Sequence, residues 1–205
     1  MDRGAKVNQA LFRSASPLWI SAARGHVDVC RLLLERGAEV NQALSDGTSP
    51  LFIAAHQRHL NVCWLLVERG ADLNQTRTDG ASPLTIATLD GHTDVCRLLL
   101  DRGAEVNHAM NDGGSVLYVA ANKGNADICQ LLLDYGAGVN QPKNNGASPL
   151  FVATLNGYVD VCRLLLERGA DVNQTMYDGM SSLHIAALVG RADVCQLLTE
   201  HGANL

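Results

Sequence analysis

Six cysteines and seven histidines are the side chains in this sequence that could bind a metal, form a disulfide or serve as nucleophile and base. The cysteines stand at 30, 63, 96, 129, 162 and 195, each 33 residues from the next, so they are one position of a repeating unit. Equivalent residues on stacked helices lie about 8–10 Å apart, beyond the roughly 7 Å between Cα atoms that a disulfide spans. No Cys-x-x-Cys pair offers zinc spacing. The pattern predicts buried, reduced thiols on an apolar helix face, with a reactive or metal-binding cysteine as the alternative. Six unpaired thiols also suit a reducing compartment.

His26, His59 and His92 recur at the same interval, and His56 and His59 stand three apart with no glutamate close by. Catalysis needs a convergent partner and a pocket. None of the runs HExxH, GxSxG and GxxxxGKS/T is present. The expectation is no enzymatic activity, no catalytic residue, no cofactor and no metal. Asn74-Gln75-Thr76 and Asn173-Gln174-Thr175 fit the glycosylation pattern. They recur because the unit recurs, and the opening MDRGAKVNQALF lacks the apolar core of a secretion signal.

The elements that must carry these side chains follow from the period. From Ser16 the chain falls into units 16–48, 49–81, 82–114, 115–147 and 148–180, then a partial unit 181–205. Residues 1–15 read as the end of an earlier unit. With no insertion to break the period, each unit is one module that buries its apolar face by stacking on its neighbours. In Ser49-Pro50-Leu51 a serine hydroxyl can accept a backbone N–H, and proline lacks an N–H that a first turn does not need. A first helix opens there, with Leu51, Ala54 and Ala55 as a narrow apolar stripe. Gly25, Gly91, Gly124, Gly157 and Gly190 suit the left-handed residue past its end. Arg58 takes that place in the second unit, which predicts about 1 kcal/mol of strain or a helix that ends differently.

A second helix is expected from Val27 and Asp28 to Glu35-Arg36-Gly37. Val27, Cys30, Leu33 and Leu34 would form its buried face, and Asp28, Arg31 and Glu35 its wet face. The stretch AEVNQALSDGTS then runs extended into an Asp46-Gly47 turn, a hairpin-like finger.

SPLFIAA at 49–55, GHVDVCRLLLERGAEVN at 25–41 and SDGTSP at 45–50 resemble the ankyrin repeat, and the resemblance runs from about Gly4 to Leu205. It implies an all-α repeat solenoid of helix-turn-helix units with β-hairpin-like fingers, forming a single array over 1–205. The opening RGAKVNQ is similar to the end of a preceding repeat. Departures are informative. The family's first-helix histidine is Trp19, Phe52, Thr85, Tyr118 and Phe151 in successive units and survives only as His184. Val116 and Ser182 replace the proline, and the usual finger aspartate is Leu11, Leu44, Arg77, Met110, Lys143 and Met176. The resemblance also makes Asn41, Asn107 and Asn173 candidate sites for asparaginyl hydroxylation.

Similarity to ankyrin arrays implies a non-catalytic module that binds another protein on its fingertips and the concave face of its first helices. The varying residues there are the candidate contacts: Leu44, His56, Gln57, Arg77, Leu89, Asp90, Met110, Asn122, Lys123, Lys143, Leu155, Asn156, Met176, Tyr177, Leu188 and Val189. Met110, Leu155, Met176, Tyr177, Leu188 and Val189 would form an apolar contact patch if they converge, or else pack locally. Trp64, outward between Arg31 and Arg97 of the adjacent units, would be stacked by one of them or mark a second contact surface. Arg36, Arg69, Arg102 and Arg168 read as a solvated edge.

A formal charge of -5, with 18% charged residues and no basic run, gives no footprint for nucleic acid. No run approaches the ~18 apolar residues of a membrane span. The expected chain is intracellular, cytoplasmic, not inserted in a membrane and monomeric by itself. The alternative is a recruiting or regulatory segment of a larger enzyme or effector, suggested by ends that lack polar capping units. An engineered scaffold fits less well, because Arg58, Val116, Gly138 and Pro142 break the framework individually.

Overall fold

The computed structural model describes residues 7–9 and 15–204. These contain six first helices, α1 (Pro17–Ala23), α3 (Pro50–His56), α5 (Pro83–Leu89), α7 (Val116–Lys123), α9 (Pro149–Asn156) and α11 (Ser182–Leu188). Each is followed by a second helix: α2 (Val27–Glu35), α4 (Leu60–Glu68), α6 (Thr93–Asp101), α8 (Ala126–Asp134), α10 (Val159–Glu167) and α12 (Ala192–Glu200). The chain divides into two compact halves, one ending at Glu105 and the other beginning at Val106. Within the first half α1, α3 and α5 stack in order, as do α2, α4 and α6; the second half repeats this with α7, α9 and α11 and with α8, α10 and α12. The fold class is an all-α repeat solenoid.

Every first helix opens on the expected serine. Ser16, Ser49, Ser82, Ser115, Ser148 and Ser181 each accept the N–H three residues on. The caps at Ser115 and Ser181 persist although Val116 and Ser182 replace proline, since proline only pre-sets a torsion that the cap already selects. Arg58 is left-handed at φ 57°, the one non-glycine residue so placed among those described. The second repeat thus ends its first helix as its neighbours do, and Arg58 bears the strain of about 1 kcal/mol while its Nε reaches Asp94 at 3.3 Å.

Three of the glycines at this place, Gly25, Gly124 and Gly157, are needed twice over. Gly124 has φ +71°, and a Cβ there would lie 2.8 Å from the Tyr158 ring. His59 and Arg191 hold the same position as Tyr158 over Gly25 and Gly157. His59 Nε2 donates to the Ala23 carbonyl at 3.2 Å, and His92 Nε2 to that of His56 at 3.1 Å, so these histidines tie one repeat to the one before.

The buried face of the second helix is displaced from the expected one. Val62, Val95, Ile128, Val161 and Val194 are buried, whereas Val27 and its counterparts Leu60, Thr93, Ala126 and Val159 are only half-buried. Leu60, which holds Val27's place in the next repeat, opens α4 and lies at the edge of the stack, while Val62, two further on, points into it. Cys30, Cys63, Cys96, Cys129 and Cys162 are buried on this face, and all six thiols are free. Ser21 and Thr88 place hydroxyls beside the Cys30 and Cys96 sulfurs, at 3.3 and 3.5 Å.

Burial pushes the Cys63 and Cys129 thiols up to about 12 and those of Cys96 and Cys162 up to about 11. Cys195 departs from the expectation of burial and is only partly covered. Since the thiolate is the reactive form, an aromatic disulfide reagent at neutral pH should titrate Cys195 rapidly and the other five only on unfolding. Fast reaction of several thiols in the native chain would refute this.

The fingers lie against one another through their backbones. Thr78 N–H donates to Asp46 O at 2.8 Å in the first half, and Asn144 N–H to Asp112 O at 3.0 Å in the second. Among the described residues strand character is limited to isolated bridges, Ala109 with Ser115 and Thr175 with Ser181. Deeper in each finger runs a ladder of asparagines. The Oδ1 of Asn8, Asn41 and Asn74 accepts the N–H of Glu39, Asp72 and Glu105, at 2.9 to 3.0 Å. In the second half Asn107, Asn140 and Asn173 receive Gly138, Asp171 and Asn204 in the same way. The candidate hydroxylation residues Asn41, Asn107 and Asn173 are thus rungs of this ladder.

Candidate functional site

The variable first-helix position and the variable finger position meet in space, which the sequence reading missed. Arg77 lies over the Phe52 ring with its Cζ 5.3 Å from the centroid and is paired with Asp79. Lys143 lies over Tyr118 at 5.6 Å, its Nζ 2.8 Å from Asp112. Met176, with Met180 and Tyr118, packs on the cluster of Ala147, Phe151 and Ile185. The finger residue therefore closes over the first-helix side chain 25 positions earlier. That fixed interval between two variable positions is the signal that could have revealed the contact.

These ion pairs shape the local electrostatics. The Arg77 side chain, by hydrogen bonding, holds the Asp79 carboxyl below its ordinary range, and Asp79 raises Arg77 in return. Lys143 does the same for Asp112, aided by the Gly114 N–H. A carboxylate lowered in the folded state stabilises it above the unfolded pKa, and that contribution is lost as pH falls through the folded value.

Arg77, Lys143 and Met176 are therefore engaged within the chain, and Leu44 and Met110 are half-buried. At the far ends of the first helices His56 Nδ1 sits 2.6 Å from Asp90 Oδ2, and Asn156 donates to Asn122 Oδ1 at 3.1 Å. Gln57, Leu89, Lys123, Leu155, Leu188 and Val189 remain exposed there, Leu188 to 73%. Tyr177 projects from its finger at 79% exposure.

The apolar residues of the second half do not converge. Met176 packs under the finger, while Leu155, Leu188 and Val189 lie at the opposite end of the first helices. Met176 meets the first helices at Phe151 and Ile185, about one helical turn before Leu155 and Leu188.

Trp64 is 46% exposed and carries no stacked arginine. Among the described residues the cations over rings are Arg77 and Lys143. The edge arginines reach backward: Arg102 pairs with Glu68 at 2.6 Å and Arg168 with Asp134 at 3.0 Å. Such exposed pairs contribute about 0–1 kcal/mol each.

Among the described residues no three His, Cys, Asp or Glu side chains are grouped to hold a metal. No described helix is long and apolar enough to cross a membrane. What the arrangement offers chemically is surface: rigid fingers and helix ends with side chains not consumed by packing. This is the architecture of a repeat protein.

The family model for ankyrin repeats matches residues 2–77, 18–110, 70–143 and 138–205, so the chain belongs to the ankyrin repeat family. Its members are in general protein-protein interaction modules, and their domains typically carry no catalysis. Among solved structures, the human ASB11 ankyrin repeat domain is 30% identical with a TM-score of 0.86, covering 99% of this chain and 90% of its own. An ankyrin repeat domain from Acinetobacter baumannii AYE is 28% identical with a TM-score of 0.87, covering 92% of this chain and 98% of its own. Comparison with curated proteins gives no match.

Proposed function

We propose that this chain binds a partner protein through the exposed ends of its first helices and its fingertips, without chemistry of its own. The observation that carries this reading is the exposure of Leu188 and Tyr177, at 73% and 79%, on elements whose Leu183, Ile185 and Met176 are packed. Leu155, Val189 and Lys123 extend the helix-end surface in the second half, and Gln57 and Leu89 offer one in the first. Large apolar side chains held out on a rigid frame are a common form of protein contact. The asparagine ladder and the closed finger residues fix that frame before the partner arrives, so less entropy is lost on association. Mixed apolar and polar residues with net charge -5 suit a protein surface better than a phosphate backbone. The free thiols support residence inside the cell.

The test is capture of partners from cell lysate on the native chain and on a Leu155→Glu/Leu188→Glu variant whose circular dichroism is unchanged. Both positions are exposed, so the variant should fold. Retention should fall about tenfold or more. Equal retention would remove the helix ends from the binding surface and turn attention to Trp64.

A further inference from the structure

Trp64 lies outward on α4, a helix that the proposed partner surface does not use, and is 46% exposed. Leu60 and Val67, four residues before it and three after, are half-buried beside it on the same side of the helix. On the helices stacked to either side its place is held by Arg31 of α2 and Arg97 of α6, both exposed. The row therefore reads arginine, tryptophan, arginine across three consecutive repeats.

The charges around this row are unbalanced. Among the described residues no acid pairs with Arg31 or Arg97, nor with Arg36 and Arg69 at the ends of α2 and α4. The acids of the same face are mostly engaged. Glu68 is held by Arg102 at 2.6 Å and Asp94 by Arg58 at 3.3 Å, and Asp101 has a partner as well. Asp28 and Glu35 remain, both on α2. On α4 the first-turn carboxylate is missing: Asn61, three residues before Trp64, stands where Asp28, Asp94, Asp127, Asp160 and Asp193 stand in the other second helices. The repeat that carries the exposed tryptophan is thus the one without that acid.

We infer that this row is a docking site for an acidic, extended segment of a partner protein, with carboxylates on Arg31 and Arg97 and an apolar side chain between them on Trp64. The occupant follows from charge complementarity, since unpaired guanidiniums beside an uncharged first turn favour an anionic ligand. The ring supplies the apolar contact, and tryptophan is enriched where binding energy concentrates. Spacing sets the register. Helix axes in a stack lie about 8–10 Å apart, and an extended chain advances roughly 3.3 Å per residue, so each acid stands about three residues from the apolar one. A nucleic acid strand would carry its phosphates across Asp28 and Glu35 too, whereas a peptide can place its carboxylates over the arginines alone.

The probe is a blocked, dye-labelled heptapeptide with glutamate at both ends, leucine at the centre and serine elsewhere. With the whole chain its anisotropy should rise saturably. The unlabelled peptide should shift the indole N–H resonance of Trp64 but not that of Trp19, whose Nε1 donates to the Thr48 carbonyl at 3.1 Å. Trp64→Gln, and separately Arg31→Gln/Arg97→Gln, should each weaken binding about tenfold. Glutamine already holds this place at Gln130 and Gln196, so the variants should keep the fold, which unchanged circular dichroism checks. Added salt should weaken binding as well, because exposed charges are screened. The Leu155→Glu/Leu188→Glu variant should bind the peptide as the native chain does, which separates this site from the proposed partner surface.

Absence of saturable binding would overturn the inference. So would equal binding of the same peptide with lysine for glutamate, or binding that survives either set of substitutions. A single-stranded oligonucleotide that shifts Trp64 where the peptide does not would make the ligand a nucleic acid. Reversible growth in sedimentation at rising concentration, lost in Trp64→Gln, would make it a second copy of this chain. Either result would overturn the choice of an acidic peptide.

Discussion

Phe52→Ala is expected to destabilise the chain by about 3–5 kcal/mol, as truncation of a buried aromatic does. Phe52 is 2% exposed on α3, between the stacked α1 and α5, and Arg77 lies over its ring. Removing the ring opens a cavity, while the Ser49 cap, which uses the backbone N–H of residue 52, is kept. It also strips the support beneath Arg77. Because stability in repeat arrays is a sum of local and nearest-neighbour contributions, the loss should be felt first by α1 to α6.

Urea unfolding followed by circular dichroism measures the cost, and Phe52→Leu, which leaves a smaller cavity, should lose less than Phe52→Ala. A loss below ~1 kcal/mol for Phe52→Ala would mean that the position is a surface site and not a packed one under its finger residue.

Gly146→Ala should cost roughly 3 kcal/mol, and Gly169→Ala only about 1–2 kcal/mol. Both glycines are left-handed, with φ +88° and +85°. Their surroundings differ. A Cβ on Gly146 would lie 2.8 Å from the Tyr177 nitrogen and 2.9 Å from the Met176 Cα, both backbone atoms of the next finger. Relief requires the fingers to part, which breaks the 3.2 Å bond from Tyr177 N–H to Asn145 O and moves Met176 off the Phe151 and Ile185 cluster. A Cβ on Gly169 meets nothing within 4 Å, so only torsional strain remains. Thermal melts of the two variants side by side decide it; equal losses would show that contact between fingers contributes nothing beyond the torsion.

The period, the serine caps and the free thiols were legible because they depend on neighbours along the chain. Ser49 and Phe52, three apart, meet in any helix, and six cysteines spaced by 33 residues cannot reach one another. Contacts made across repeats were not. Arg77 over Phe52 and Lys143 over Tyr118 join positions that look independent in a line of letters, and both cations had been assigned to a partner's surface.

The Val27 and Trp64 errors have related causes. Helical periodicity ranks residues around an axis but does not say how much of the helix its neighbours overlap, so Val27 fell at an edge. Arg31 and Arg97 are next to Trp64 in repeat order, which does not say whether a guanidinium turns toward the ring. Met176 and the leucines at 155 and 188 fall about a helical turn apart along the first helices, a separation that aligned repeats do not show.

The asparagine rungs bear on how such a gene can change length. Every rung joins a side chain to a main-chain N–H 31 residues later, and Asn8, Asn41 and Asn74 hold the same geometry although the residues around them differ. Duplication or deletion of one 33-residue unit leaves every remaining rung with an equivalent mate, whereas an insertion of any other length inside a unit orphans the rung that spans it. Recombination between units is therefore tolerated in steps of one module, and the side chains that face a partner can be reshuffled without renegotiating the frame.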